Sequence, residues 1–239
     1  MSTNTTDVQP KQAKKDLRRS VKTQLAELSE DEVAKQSRIA QDSVLSLPQY
    51  RNARRISVYL SMPSGEARTD MVFRNALSSG KQVFVPYLQS VPKPETKSGK
   101  GKVMQMLRLS SIREYEGLER DAWGIPSLSP DTVEERENAL GGYGVSGNVA
   151  NCADGGLDLV VVPGVAFDED MSRLGHGAGF YDGFLSRLCG NGRRSKPFLV
   201  GLCLAEQIQP NGRIVMEEWD WSVDAVAVGD GRLLTSKGV

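Results

Sequence analysis

Leu157-Asp-Leu-Val-Val-Val162 is the most apolar stretch of the chain, and the glycine-rich residues after it decide how it is read. A short β-branched run with no helical stripe fits a central strand of a parallel sheet, which is buried on both faces and so need not alternate. Next come Pro163-Gly-Val-Ala-Phe-Asp168 and Arg173-Leu-Gly-His-Gly-Ala-Gly-Phe-Tyr-Asp182. Gly175, Gly177 and Gly179 alternate just before Tyr181, Phe184, Leu185 and Leu188, whose spacing predicts a helix. Strand, glycine loop and helix N-terminus in series make an anion cradle. The glycines let backbone N–H groups approach phosphates, and the helix end adds partial positive charge. The loop also lies past the carboxyl end of a strand, where open α/β sheets bind ligands. A tight structural loop is the competing reading of the glycines alone.

Strands are predicted on either side of this block at 55–62, 83–88, 103–109, 198–204 and 223–228. Helices lie between them. Leu17, Val21, Leu25 and Leu28 make one stripe over 11–28; Ser29 with Glu32 forms a capping box that opens a second helix, ended by Pro48. A third, around Met71 to Leu77, has Gly80 at its C′ position. The expected architecture is one three-layer α/β domain over 11–232, Rossmann-like, with a mostly parallel sheet flanked by helices on both faces. Residues 1–10 and 233–239 read as tails, and 89–101 and 129–156 as surface insertions, the second mobile.

Composition limits what the motifs can mean. Lys+Arg and Asp+Glu balance at 30 each in 239 residues, so charge gives no reason to expect nucleic acid. Cys152, Cys189 and Cys203 form no C-x-x-C pair, which argues against zinc and disulfides and fits a reducing compartment. No apolar run approaches the roughly 20 residues of a membrane span, and the start has no signal or transit pattern. The expectation is a cytoplasmic protein. No Gly-Lys pair is followed by Ser or Thr, so the site is not a Walker loop. Gly142-Tyr-Gly144-Val-Ser-Gly147 matches G-x-G-x-x-G but lacks the preceding strand and following helix, so it is read as a chance match.

The first helix carries its own signal. At about 100° per residue, Lys14 falls close to the Val21/Leu25 stripe and Arg18 on its edge, whereas Lys15 and Lys22 point well away. Two cations that continue a buried stripe need an anionic partner, and a triphosphate is a natural one. Asp168 and Asp170 read as turn formers.

The block from Asp158 to Asp182 resembles the signature of the 5-formyltetrahydrofolate cyclo-ligase family. Lys14-Lys-Asp-Leu-Arg18, Tyr59-Leu-Ser-Met62 with Glu66 and Thr69, Trp123-Gly-Ile-Pro126, the 201–207 stretch (GLCLAEQ), Asp220 and Asp224 are similar to the family's other elements, in order. The resemblance covers about residues 11–228 and implies ATP-dependent closure of 5-formyltetrahydrofolate to 5,10-methenyltetrahydrofolate. ADP and phosphate are released after the formyl oxygen is phosphorylated and N10 attacks. It implies Lys14, Arg18 and His176 as catalytic groups. ATP contacts are implied for Lys14, Lys15, Asp16, Leu17 and Arg18 and for the run Arg173, Leu174, Gly175, His176, Gly177, Ala178, Gly179, Phe180 and Tyr181. The folate pocket would combine Leu60, Met62, Glu66 and Trp123 with the loop from His176 to Tyr181, and Asp182 and Asp220 would hold Mg²⁺.

One departure stands out. Where the family usually has Arg or Lys in the loop, this chain has His176 and Ala178, a form associated with fungal members. A neutral imidazole donates one hydrogen bond where an arginine donates several. The expected protein acts as a monomer without nucleic-acid or membrane partners, with a mitochondrial pool an open alternative. Two other readings stay open: a catalytically silent nucleotide- or RNA-binding relative, and a sugar-phosphate isomerase or CoA transferase on a similar sheet, which would need no ATP.

Overall fold

The computed structural model describes residues 8–91, 101–145, 155–190 and 195–236. In chain order the elements are α1 (Val8–Ala26), α2 (Glu30–Ser46), α3 (Pro48–Asn52), β1 (Arg55–Val58), α4 (Asp70–Ser78), β2 (Gln82–Ser90), β3 (Lys102–Leu109) and α5 (Ile112–Glu116). After these come β4 (Glu119–Arg120), β5 (Pro126–Ser127), β6 (Leu159–Val162), β7 (Ala166–Phe167), β8 (Arg173–Leu174), α6 (Phe180–Cys189), β9 (Phe198–Cys203), β10 (Ala225–Val228) and β11 (Leu233–Thr235). One seven-stranded sheet has the order β11-β10-β9-β6-β1-β2-β3. Its five inner strands run parallel, and its two edges, β3 and β11, run antiparallel.

The apolar run Leu159–Val162 sits at the centre of this sheet as β6, and all four of its residues are buried. Successive side chains on a strand point to opposite faces. Leu159 and Val161 therefore join a core with Leu17, Val21 and Leu25 of α1, Val44 of α2 and Phe73 of α4. Val160 and Val162 face the other core, with Phe184, Leu185 and Leu188 of α6. Burial of each such side chain contributes about 1.5–3 kcal/mol. The two-faced covering thus follows from the apolar run itself. Ser29 caps α2 as its spacing predicts, accepting from Glu32 N at 3.2 Å. No helix among the described residues is long and apolar enough to cross a membrane.

The structure corrects four boundaries. Helix α1 begins at Val8, inside the stretch read as tail, since Pro10 is tolerated in a first turn whose N–H groups lack helical partners. Gln89 and Ser90 pair with Val103 and Lys102, so β2 and β3 extend into the supposed insertion; 92–100 lie outside the described residues. The 129–145 part of the second insertion is packed: Pro130–Glu135 is a 3₁₀ turn, Asn138 bridges to Leu107, and Asn138 and Ala139 are fully buried. Its 146–154 part lies outside the described residues. Leu233–Thr235 is an edge strand on β10 rather than tail. Elements of two or three residues are too short to show a hydrophobic period.

Candidate active site

At the carboxyl end of β6 the chain does not run straight into the glycine loop. It first makes the small antiparallel β7–β8 hairpin. Met171 is left-handed in its turn (φ 63°), and Asp168 Oδ1 accepts from Ser172 N at 2.8 Å, so Asp168 is a turn former as expected. Burial raises the Asp168 carboxyl above its usual pKa. Leu174 then leads into Gly175–Gly179, and Gly179, itself left-handed, starts α6. Arg18 of α1 reaches this loop and donates Nε–H to Gly175 O at 2.7 Å. A Cβ on Gly177, whose φ is +101°, would stand 3.4 Å from the Arg18 guanidinium carbon. An L side chain is disfavoured there by its backbone as well as by the contact. Burial lowers the Arg18 pKa against the opposing pull of Asp220, yet a guanidinium stays charged.

One turn earlier on α1, Lys14 faces inward as its stripe position predicts. Its anionic partners are the protein's own: Nζ lies 2.6 Å from both Glu217 Oε2 and Asp220 Oδ2. Asp220 Oδ2 also accepts from Glu217 N at 3.0 Å, so both carboxylates belong to one turn. Burial pulls the Lys14 pKa down, but hydrogen bonds and charge from Asp220 and Glu217 outweigh it, and the net shift is upward. Glu217 was not foreseen. Its only trace in the sequence is the acidic spacing Glu217-Glu-Trp-Asp220, which has no periodicity to mark it as inward-facing.

A second ion pair lies beneath the loop. Arg173 Nη2 donates to Asp182 Oδ1 at 2.6 Å and Nη1 to Pro163 O at 3.3 Å; Asp182 Oδ1 also accepts from Trp221 N at 3.0 Å. The expected phosphate contacts therefore separate. Arg18, Gly175, His176, Gly177, Ala178 and Gly179 stand at the mouth. Arg173 and Leu174 are buried under it, Leu17 is in the core, and Lys15 is exposed. Asp16 accepts from Arg19 and Gln12 on the outer face of α1.

The folate-side residues gather across the loop. Thr69 Oγ1 donates to Tyr59 O and Tyr59 Oη to Ala67 O, closing the 59–69 segment on itself. Glu66 is buried in that loop; its Oε2 accepts from Met62 N at 2.9 Å and its Oε1 lies 3.8 Å from His176 Nε2. Leu60 is buried beside it. Trp123 sits at the tip of the β4–β5 hairpin and is 77% exposed. That tip presses on the same loop, since a Cβ on Gly124 would lie 2.7 Å from Pro63 Cγ. The Tyr181 hydroxyl is buried without a hydrogen-bond partner among the described residues. Burial, with the charge of Glu66, raises its pKa.

The donors suit a nucleotide-borne metal. Trp221, the residue after Asp220, donates its N–H to Asp182, so one hydrogen bond links the two segments that carry the expected metal carboxylates. Among the described residues no cluster of three or more His, Cys, Asp or Glu could enclose a metal ion. Mg²⁺ needs no such cage, because it commonly takes one or two carboxylates and completes its shell with phosphate oxygens and water.

A model of the 5-formyltetrahydrofolate cyclo-ligase family matches residues 10–229. The chain is 35% identical over 218 residues to the 5-formyltetrahydrofolate cyclo-ligase of Mus musculus, covering 91% of this chain and 94% of that one. It is 33% identical over 223 residues to that of Saccharomyces cerevisiae, covering 91% and 95%. Among solved structures it resembles the 5,10-methenyltetrahydrofolate synthetase of Aquifex aeolicus, with TM-score 0.63, 24% identity, and 95% and 94% of the two chains covered.

Proposed function

The chain belongs to the 5-formyltetrahydrofolate cyclo-ligase family, and from that premise we propose how its residues close 5-formyltetrahydrofolate to 5,10-methenyltetrahydrofolate at the expense of ATP. The observation that carries the assignment is the convergence on one mouth of Lys14, Arg18 and the 175–179 loop from one side and Glu66 from the other. The triphosphate lies along the loop amides, with Lys14 and Arg18 neutralising its charge. The γ-phosphoryl group passes to the formyl oxygen of the folate, with ADP leaving. N10 then attacks the activated formyl carbon, and the carbon–oxygen bond breaks to release phosphate, which takes the N10 proton as the ring closes.

No covalent intermediate on the protein is required. The chain's own work is to orient the reactants and to place charge where the transferring phosphoryl develops it. Arg18 is held against the loop by Gly175 O and offers its remaining N–H groups to the phosphates. Lys14 exchanges its carboxylate partners for, or shares them with, the nucleotide. Asp182 and Asp220 would hold Mg²⁺, which supplies charge neutralisation on the phosphate oxygens. Glu66 accepts the pterin N–H donors through the oxygen that faces the mouth, Leu60, Met62, Trp123 and Tyr181 cover the flat ring, and His176 touches phosphate or formyl oxygen from the loop. Lys15, Asp16, Leu17, Arg173 and Leu174 serve by holding those contacts in place. The protein is proposed to act as a cytoplasmic monomer without nucleic-acid or membrane partners.

The test is near-ultraviolet absorbance of purified protein with 5-formyltetrahydrofolate, ATP and Mg²⁺. ATP-dependent growth of the methenyl band supports the reading. Folded protein that binds ATP but forms no product would instead be the catalytically silent relative.

A further inference from the structure

A cleft of about 460 Å³ between α1 and the 62–65 segment adjoins the proposed pterin and triphosphate sites, sharing Met62 and His176 with them. Its lining is mixed in a definite way. Leu25, Leu28, Val33 and Met62 give it apolar walls, while Lys22 and Arg68 bring two cations and Glu30 one carboxylate. Lys22 is exposed and has no hydrogen-bond or ion-pair partner among the described residues. Arg68 is anchored by its backbone, which donates to Ser37 Oγ at 3.0 Å. Its guanidinium meets only Glu30 among the described residues, at 2.9 Å, and that side chain is 83% exposed. An exposed pair of this kind contributes about 0–1 kcal/mol, so an incoming carboxylate can displace or join it.

The position of the cleft says which part of a ligand it receives. Lys14, Arg18 and Lys22 are spaced four residues apart, so they run along nearly one face of α1 with about 6 Å between successive positions. Lys14 meets the Glu217/Asp220 turn and Arg18 meets the glycine loop, while Lys22 stands at the cleft. His176 belongs both to the glycine loop and to the cleft lining. In the reaction proposed above, N10 of the folate must reach the loop to attack the formyl carbon. The rest of the folate, an aromatic amide ending in a glutamate, leaves from N10. Its natural exit from the loop past His176 is this cleft.

We propose that the cleft binds the p-aminobenzoyl-glutamate tail of the substrate, the ring lying on the Leu25/Leu28/Met62 wall and the tail carboxylates pairing with Lys22 and Arg68. This rests on the reading of the site as a folate-closing one. It assigns Lys22 and Arg68 a specificity role, separate from the cations that serve ATP. Lys22 lines the cleft together with the 62–65 segment, although on the bare helix it points away from the apolar stripe.

The experiment compares 5-formyltetrahydrofolate with 5-formyltetrahydropteroate, which keeps the formyl group and N10 and lacks the glutamate. With the unaltered protein the folate has the lower KM. Lys22→Gln and Arg68→Gln are each expected to raise KM for the folate about 2–5-fold, and the double variant about 10-fold, the scale of exposed ion pairs lost one at a time. The rise should be absent with the pteroate, so the preference for the glutamate-bearing substrate collapses. Lys22→Glu, on an exposed helix position that leaves folding intact, should raise the folate KM further than Lys22→Gln. A folate-to-pteroate KM ratio unchanged in the double variant overturns the proposal. So does a rise confined to KM for ATP, which would put the cleft in the nucleotide site. Both results leave the ring-closing activity standing, whereas failure of the unaltered protein to form the methenyl product counts against the reading beneath it.

Discussion

Two ion pairs flank the glycine loop at the same 2.6 Å separation, Lys14 with Asp220 and Arg173 with Asp182, and their surroundings set them to different tasks. The Arg173 side chain is almost sealed, and its partner also takes Trp221 N while Arg173 reaches back to Pro163 O. Four segments are thereby tied beneath the loop. Lys14 ends on two partly exposed carboxylates of one turn, at the open mouth. Its partners can be rehydrated when a triphosphate arrives. Pulling Arg173 out would strand a buried charge, which is far more costly. Length and charge type are alike in the two pairs; connectivity and access to water separate a tie within the fold from a cation that stands at the open mouth.

The largest effect expected from this contrast is on stability. Arg173→Leu removes the sealed guanidinium and takes from the partly buried Asp182 its cation and from Pro163 O its donor, which costs about 3–5 kcal/mol. For a chain of this size that lowers Tm by about 6–20 °C, measurable by thermal denaturation followed by circular dichroism. If Arg173→Leu instead melted like the unaltered protein and lost ATP affinity, Arg173 would be a phosphate ligand and the contrast would invert.

Lys14→Ala is the complementary change. Loss of one charge-stabilising contact at the transferring phosphoryl should cut kcat/KM for ATP by about 10²–10³-fold. Its stability cost is smaller, about 1 kcal/mol, because the freed carboxylates reach water. A melting loss as large as that of Arg173→Leu would show that Lys14 is also scaffold. This pair carries a pH signature too. Because the Lys14 pKa is raised above 10.5, the pair's contribution is fully present below that value and is lost as pH rises through the folded pKa. The stability gap between the unaltered protein and Lys14→Gln should be flat from neutral pH to about 10 and close above it, read by urea denaturation at each pH. A gap that stayed open well above pH 10 would mean that the lysine is not what titrates.

How far the two pairs could be read from sequence differs for a physical reason. Lys14 lies on a helix, where the 3.6-residue period converts position into direction, so its inward aim was legible together with the Val21/Leu25 stripe. Its partners were not, since Glu217 sits in an irregular stretch with no period to say where it points. Arg173 is expected among the phosphate contacts because it adjoins the glycine motif in sequence. The two-residue strands β7 and β8, too short to show alternation, turn its side chain under the loop. β6 and α6 were legible because each buries a continuous face. Lys22 lies off the apolar stripe on the bare helix, and only the tertiary position of the 62–65 segment gives it a cleft to line.

The smallest effect tests the one place where the loop departs from the charge its family usually carries. His176 stands between the two sides of the site, in the glycine loop and 3.8 Å from Glu66. His176→Arg adds a permanent cation with a fork of donors. If position 176 serves the triphosphate, KM for ATP should fall, but by no more than about fivefold, the scale of an exposed ion pair. Two neighbours limit the gain: Arg18 already supplies charge to the loop, and the new guanidinium will be drawn partly toward Glu66. That second attraction makes the result discriminating, because an arginine on Glu66 competes with the pterin for its carboxylate and should raise KM for the folate. A fall in KM for ATP alone places residue 176 with Lys14 and Arg18 on the nucleotide side. A rise in KM for the folate with ATP unaffected places it with Glu66. It would then be the histidine's neutrality, rather than any missing charge, that the folate side requires.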